Sequence, residues 1–318
     1  MDTIVYAGRI KDREALNNSS SGGAFTALTD PFIRAGNAVL CATYSYEHHQ
    51  TEFRLIHSIE ERDKSRGSMY MQSYTGGSWI DAFAWLKKNP EKKLMYVGLG
   101  CQAAGFIRFA ELQGIRDRIV VIDIICHGTP SPMIWKEYAC SLEKKGKMSH
   151  LNFRDKRRGW NNSIAITQIN GKEVSLKKYR KIYSDRYSLR RSCSNCPYTT
   201  TDRYTDITIG DFWHLEKSLP DFFDDLGTSL FLIHTNIGKQ LFEDIKPSLE
   251  YRQSNLVDCW QINLERPTKD SKKRNLFWHD YHKYGIDYVM NKYGTVPILK
   301  RVKRRIRVSA KWVLSKLS

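Results

Sequence analysis

Four of the seven cysteines in this 318-residue chain stand where thiol chemistry is expected. Cys101 and Cys126 each follow an apolar, strand-like run, Leu94–Gly98 and Ile119–Ile125, and Cys193 and Cys196 form a C-x-x-C pair. Helix-like stretches, Ala103–Leu112 and Ile134–Leu142, come after the first two, so each belongs to a βα unit. Successive βα units of one sheet run parallel and lie close together. Both sulfurs are therefore expected outside the carboxyl ends of the strands, where open α/β sheets bind ligands. The loop Cys193-Ser194-Asn195-Cys196 can fold over the same spot. Iron–sulfur clusters and zinc both take thiolates, but structural zinc usually draws on two tight pairs, and only one pair is tight here. The residues alone leave an iron–sulfur cluster, a zinc ion and unligated thiols all open. Cys41, Cys140 and Cys259 have no partner at ligand spacing and read as small core hydrophobes.

Two further segments carry groups with chemical potential. Ser19-Ser20-Ser21-Gly22-Gly23 precedes an apolar helical pattern, so it can act as a phosphate cradle. Glycines let backbone amides approach an anion, and a helix N-terminus offers unpaired N–H groups with partial positive charge. An ordinary helix cap is the plainer reading. Phe153-Arg154-Asp155-Lys156-Arg157-Arg158-Gly159-Trp160 sets fixed cations between aromatics, fit for a phosphate or an isoalloxazine ring, or for a solvated turn. No residue stands out as a proton donor; Lys156 and His127 are the weak candidates for a catalytic role. Asp211, at a strand end beside Phe212 and Trp213, suits a site or the capping of the next turn. No Lys-Ser or Lys-Thr completes a Walker loop, no GxGxxG follows a strand, and no GxSxG elbow or triad points to a hydrolase.

The elements that must hold these groups alternate between strand and helix patterns. Tyr6–Ile10 and Ala38–Thr43 read as strands, with a helix between them carrying Phe25, Leu28 and Phe32 on one face. Serines favour its N-cap, and Pro31 predicts a kink or an end near Asp30. Arg66–Gly77 forms a loop opening a helix at Trp79–Lys87. Past Lys147 the pattern turns antiparallel: Ser163–Gln168 and Glu173–Leu176 flank Asn170-Gly171, which favours a type I′ turn. Asp206–Gly210 and Ser229–His234 are further strands, and Gly238–Ile245 a helix. From Ile298 onward apolar residues recur at helical spacing with a basic opposite face, an amphipathic helix suited to docking or to an anionic membrane surface. The fold class is α/β in the mixed α+β sense: a central mixed sheet, flanking helices, an antiparallel hairpin insertion and that C-terminal helix.

Lys+Arg 51 against Asp+Glu 34 gives a net charge of +17, which attracts nucleic acid, anionic membranes, phosphorylated substrates or acidic carrier proteins. Much of the excess is local, in Lys300–Lys311 and Lys156–Arg158, and no specific nucleic acid binding is expected. No apolar run spans a bilayer, and the N-terminus turns charged too soon for a signal peptide. A reducing, cytoplasmic location is expected, peripheral to the inner membrane face if the tail binds lipid, and there thiols are metal-binding, catalytic or buried rather than disulfide-bonded.

Taken together, the segments NNSSSGGAFTAL (17–28), RGSMYMQS (66–73), GLGCQAAGF (98–106), CHGTPSPMIWKEY (126–138), FRDKRRGW (153–160), SCSNCPY (192–198), DITIGDFW (206–213) and DDLGTSLFLIHT (224–235) resemble the coenzyme F420 hydrogenase/dehydrogenase beta-subunit family. They occur in family order across roughly residues 4–245. The resemblance implies a flavin and iron–sulfur oxidoreductase domain over residues 1–265 with a basic helical extension over 266–318. It implies a 4Fe–4S cluster on Cys101, Cys126, Cys193 and Cys196. It also implies FAD held by Ser19, Ser20, Ser21, Gly22 and Gly23, by Ser68, Tyr70, Gln72 and Ser73, and by Arg154 and Lys156. Electrons would pass from a reduced carrier, ferredoxin-like or a deazaflavin coenzyme, through the cluster and FAD to an organic acceptor. Short relatives are similar to proteins of surface-polysaccharide pathways, so a sugar-linked acceptor is expected. Two departures stand out. The cysteine-rich ferredoxin-like segment with which many relatives begin is missing from this sequence, and Gly100 replaces a proline common before the first ligand, which predicts a looser turn there. The competing reading is a zinc-stabilised binding or transferase protein on polyanions or a membrane surface; a third is a scaffold subunit without turnover.

Overall fold

The computed structural model describes residues 2–295. The amphipathic helix expected from Ile298 lies outside them. In chain order, β1 (Ile4–Ile10) leads through α1 (Arg13–Asn17) and α2 (Ala24–Arg34) to β2 (Ala38–Ser45) and β3 (Gln50–Ile56). Then come α3 (Ile59–Asp63), the short β4 (Ser73–Tyr74) and α4 (Ser78–Lys88). Two βα units follow, β5 (Leu94–Leu99) with α5 (Gly100–Leu112) and β6 (Ile119–Ile124) with α6 (Pro132–Glu143). An antiparallel insertion comprises β7 (Met148–Asp155), β8 (Ile164–Ile169) and β9 (Lys172–Ser175), and α7 (Lys177–Ser184) closes it. The chain continues through β10 (Ile207–Asp211), α8 (Leu215–Ser218), β11 (Ser229–Ile233), α9 (Asn236–Ile245), β12 (Leu249–Ser254) and α10 (Arg274–Lys292).

Nine strands form one sheet in the order β12-β1-β11-β10-β6-β5-β2-β3-β4. Its centre, β10-β6-β5-β2, is parallel, whereas β11, β1, β12 and β3 join antiparallel. The sequences explain the centre: LMYVGL and IVVIDI are apolar on both faces, as strands covered by helices on each side must be. On one face α2 and α9 pack through Leu28, Phe32 and Phe242 onto Val39, Ile122 and Phe231. On the other, α4 and α5 pack through Leu86 and Phe106 onto Leu40, Tyr96 and Val121. The three-stranded sheet β7-β8-β9 builds a separate core with α6, α7 and α10 around Trp135, Phe153, Tyr179 and Phe277. The mixed α/β class expected from the sequence is the observed one. The turn Asn170-Gly171 has both residues at positive φ, 48° and 76°, as a type I′ hairpin requires.

Several expectations are corrected. Helix α2 runs through Pro31 to Arg34 instead of stopping near Asp30. A proline that late removes one hydrogen bond in a turn that is already ending, and the burial of Phe32 and Ile33 outweighs it. Its N-cap is Gly23 at φ 85°, not a serine, and the amide of Ala24 is met by the Ser229 hydroxyl from β11 at 3.4 Å. Cys41 and Cys259 are buried as expected, but Cys140 is exposed because its side of α6 faces outward with Met133, Lys136 and Lys144. The short α1 and α3, the edge strand β12 and most of α10 carry no strong periodic signal, and only the structure reveals them.

Candidate functional site

The parallel centre of the sheet decides where everything meets. The carboxyl ends of β5, β6 and β10 share one end of the sheet, and β1, two strands away and running the same way, delivers the Ser19–Gly23 loop there. Strand β11 runs antiparallel, so it starts at that end with Ser229. Strand β4 enters from the same end and brings the loop Gly67–Gln72.

Cys101 sits in the first turn of α5 and Cys126 just after β6; Cys193 lies within a 3-10 turn over Arg191–Asn195 and Cys196 caps its end. The four thiols share one neighbourhood. Burial raises the Cys126 thiol to about 12, a backbone amide opposes this, and Cys193, Cys101 and Cys196 raise it further. Cys101 is likewise raised, first by burial and then by Cys196 and Cys193. Amides already point at the sulfurs: Gly128 N–H donates to Cys126 Sγ at 3.2 Å and Thr129 N–H to Cys193 Sγ at 3.5 Å. Gly128 can turn that way only because its φ is 117°, and a Cβ there would press Leu189 at 3.0 Å. Among the described residues no group of three or more His, Cys, Asp or Glu side chains is placed to hold a metal ion as the protein stands.

Gly100 fits its place closely. A Cβ there would stand 2.8 Å from Arg203 Nη1 and 3.1 Å from Asp123 Oδ2, so the residue before Cys101 is small because a buried ion pair occupies the space. Arg203 donates to Asp123 at 2.8 Å, and Thr205 and Thr208 hydroxyls donate to the other oxygen of that fully buried carboxylate.

Beside the thiols the other motif loops are knitted together. Ser20 Oγ accepts the Ser68 amide at 2.7 Å and the Ser68 hydroxyl at 3.0 Å. Ser21 Oγ donates to Thr228 O at 3.0 Å, whereas Ser19 Oγ turns back to Ala15 O at 2.7 Å. Gly22 lies against the Gly8 carbonyl and the Ser229 amide, where no Cβ fits. The Lys156 ammonium donates to Leu16 O at 2.7 Å, Ser21 O at 2.9 Å and Leu226 O at 2.7 Å. Burial, then Arg154, lowers it to about 8. All three of its protons are engaged, so Lys156 ties three segments together and has no proton turned outward.

Arg154 is 9 % exposed and pairs with Asp211 at 2.6 Å, which answers the open question about Asp211. The guanidinium also lies 5.5 Å from the centre of Trp160, whose ring meets Trp213 at 4.8 Å. Tyr70 stacks on Tyr183 at 4.5 Å, and Tyr183 meets His127 edge-on at 5.8 Å. Gln72 N–H donates to Pro130 O at 3.3 Å, so this one loop touches the serine run at Ser68 and the cysteine side at Gln72. Ser73 is a strand residue opposite Thr51 and makes no side-chain hydrogen bond to the other candidates. His127 faces Thr268 at 3.4 Å, and burial lowers its basicity. Arg66, at the head of the loop, lines a charged cleft of about 440 Å³ with Asp30, Arg62 and Asp63. Sequence reasoning missed Tyr183, Arg203, Asp123 and Thr129. Of these only Asp123 left a trace, as the one charge inside an otherwise apolar strand.

Comparisons with known proteins match most of the chain to a family. Residues 5–77 match the N-terminal model of the coenzyme F420 hydrogenase/dehydrogenase beta subunit, and residues 91–257 match the model of that subunit's carboxyl-terminal part. No curated protein matches the chain. Among solved structures the chain is similar to one in the xenon-derivatised F420-reducing NiFe hydrogenase complex from Methanosarcina barkeri. The identity is 17%, covering 91% of this chain and 90% of that one, with a TM-score of 0.51, a likeness of fold.

Proposed function

This chain belongs to the coenzyme F420 hydrogenase/dehydrogenase beta-subunit family, a family of oxidoreductase subunits, and we propose that it passes electrons through a 4Fe–4S cluster and FAD to an organic acceptor. The observation that carries the reading is the common neighbourhood of four thiols from three separate segments, directly beside the loops that carry the family's other motifs. A four-iron cluster takes one thiolate from each of four cysteines, and Cys101, Cys126, Cys193 and Cys196 supply four thiols from three segments. When bound, the cluster would relay single electrons and the flavin would exchange a hydride equivalent with the acceptor.

The chain's own residues supply position and electrostatics. Cys101, Cys126, Cys193 and Cys196 would ligate the cluster as thiolates, and the Gly128 and Thr129 amides stabilise negative charge on sulfur. Ser20, Ser21, Gly22, Gly23 and Ser68 line the FAD side with backbone amides and hydroxyls. Arg154, fixed by Asp211, presents a cation toward that side. Lys156 holds the loop in shape from behind. The organic acceptor is proposed as sugar-linked, from surface-polysaccharide assembly, and the electron donor as a reduced carrier protein or deazaflavin. The apolar and basic tail from Ile298 is proposed as a peripheral contact with an anionic membrane.

Anaerobic purification tests the reading. The expected product is yellow-brown, with bound flavin, acid-labile sulfide and about four irons per chain. Colourless protein with stoichiometric zinc would overturn it in favour of a zinc-stabilised binding protein. Bound flavin that no donor reduces and no acceptor reoxidises would make the chain a scaffold subunit.

A further inference from the structure

We propose that the groove between α6 and α10 lies against an anionic phospholipid membrane, with lipid chains over its apolar floor and lipid phosphates on Lys136 and Lys144. The inference rests on the membrane reading of the tail given above and adds the face of the folded body that meets the lipid.

Helix α6 is two-faced. Ile134, Trp135, Tyr138 and Ala139 are buried in the core that it shares with β7 and β8. Met133, Lys136, Cys140 and Lys144 recur at spacings of three and four, so they form a single stripe on the other side, and all four are exposed. Together with Ile286 from α10 this stripe lines a groove of about 470 Å³ whose surface is mostly apolar. Met133, 42 % exposed, stands at its head. The one acid in the groove, Glu137, is turned to α10, where it accepts the Tyr281 hydroxyl at 2.5 Å.

The charge and the chain path select the occupant. A thioether, a thiol and an isoleucine between two lysines suit a lipid interface, where lysine stems bury and their ammonium heads meet phosphate. A protein partner accounts for the groove less well, because lysine is depleted from protein interfaces. The tail is also a worse fit than lipid. Residues 296–318 hold eight Lys or Arg and no Asp or Glu, so they would set like charge on Lys136 and Lys144. An anionic surface satisfies groove and tail together, each cation near it adding to the attraction. The path allows this, since α10 walls the groove at Ile286 and ends at Lys292. Residue 296 is therefore within about 15 Å of Ile286 along a helix, or about 35 Å in extended chain.

Sedimentation of the full-length holoprotein with mixed phosphatidylglycerol–phosphatidylcholine vesicles, and with phosphatidylcholine alone, tests the inference. Alkylation of Cys140, followed by peptide mass, is the second measurement. Wild type should sediment with the anionic vesicles only, less so as salt rises, and those vesicles should slow Cys140 alkylation about fivefold or more. Lys136→Glu/Lys144→Glu should lose about tenfold or more in vesicle affinity. Lys88→Glu/Lys239→Glu makes the same change of net charge on exposed positions of α4 and α9, and should lose less than about threefold. Equal losses from the two pairs would reduce the effect to net charge and overturn the proposal. So would a Cys140 that alkylates at one rate with and without anionic vesicles. A Cys140 shielded without lipid and freed by Val302→Asp/Ile306→Asp would put the tail in the groove, which also overturns it. The tail reading fails separately, if Lys303→Glu/Arg304→Glu/Arg305→Glu leaves binding unchanged while the groove lysines still matter. Wild type that ignores anionic vesicles would sink both readings and leave the groove to a protein.

Discussion

Three carbonyl oxygens around one ammonium make Lys156 the most constrained polar group of the loop cluster. Removing it strands Leu16 O, Ser21 O and Leu226 O in a place where water is scarce. Lys156→Met should cost about 2–4 kcal/mol in urea unfolding and release bound flavin, because unsatisfied buried acceptors retain their desolvation cost. Lys156→Arg should not rescue it, since a planar fork does not reproduce three converging donors. The Asp123–Arg203 pair makes a second test. Asp123→Asn keeps the shape but leaves a buried guanidinium without its counter-charge, and should destabilise by about 3–5 kcal/mol in the same measurement. The sequence made these residues unequally legible. The four cysteines could be read, because thiols after strands and in C-x-x-C have few other uses. Lys156 could be named but not understood: its partners lie 140, 135 and 70 residues away. Asp123 is a lone charge in a buried strand, and its partner is 80 residues further on.

At the level of elements, the glycine run is where local and tertiary demands meet. Serines before an apolar helical pattern announced a helix start, and α2 begins there. Its N-cap is Gly23, and the Ala24 amide is met by the Ser229 hydroxyl, because β1 and β11 are neighbours and bring that hydroxyl to the helix end. Gly22 is squeezed between the Gly8 carbonyl and the Ser229 amide. Gly22→Ala should therefore wedge the loop away from β1 and β11, cost about 2–4 kcal/mol by thermal or urea unfolding, and weaken flavin retention. Gly77→Ala, with nothing within 4 Å of its Cβ, should cost less than about 1 kcal/mol. Strands β5 and β6 were readable from unbroken apolar runs, and the hairpin from Asn-Gly. Strand β12 and helix α10 were not, because an edge strand alternates weakly and α10 is broken at Gly285, φ 76° and ψ −176°.

Across the whole molecule, His234 links the chain's beginning to the sheet centre, facing Thr3 at 3.2 Å and Thr208 at 2.9 Å. Burial, reinforced by Arg203, lowers its pKa from 6.5 to about 4. The unfolded chain binds this proton at higher pH than the folded one, so the stabilisation is complete above about pH 6.5 and is lost as pH falls toward about 4. The difference between wild type and His234→Gln in unfolding free energy should narrow across that window by about 1–3 kcal/mol and stay flat above it. The sequence by itself determined the chemistry available: which thiols, serines and cations exist, the alternation of strand and helix, and the family whose motifs they form. Residue identity and local periodicity act over a few positions, and those are written along the chain. Only the tertiary structure decided that the parallel centre of the sheet turns the ends of β5, β6 and β10 to one side. The same fold put the serine loop beside them, left Cys101 open to solvent, and placed Arg203 in the space before it. Those outcomes depend on strand order and on burial between segments far apart in sequence, which no local pattern encodes.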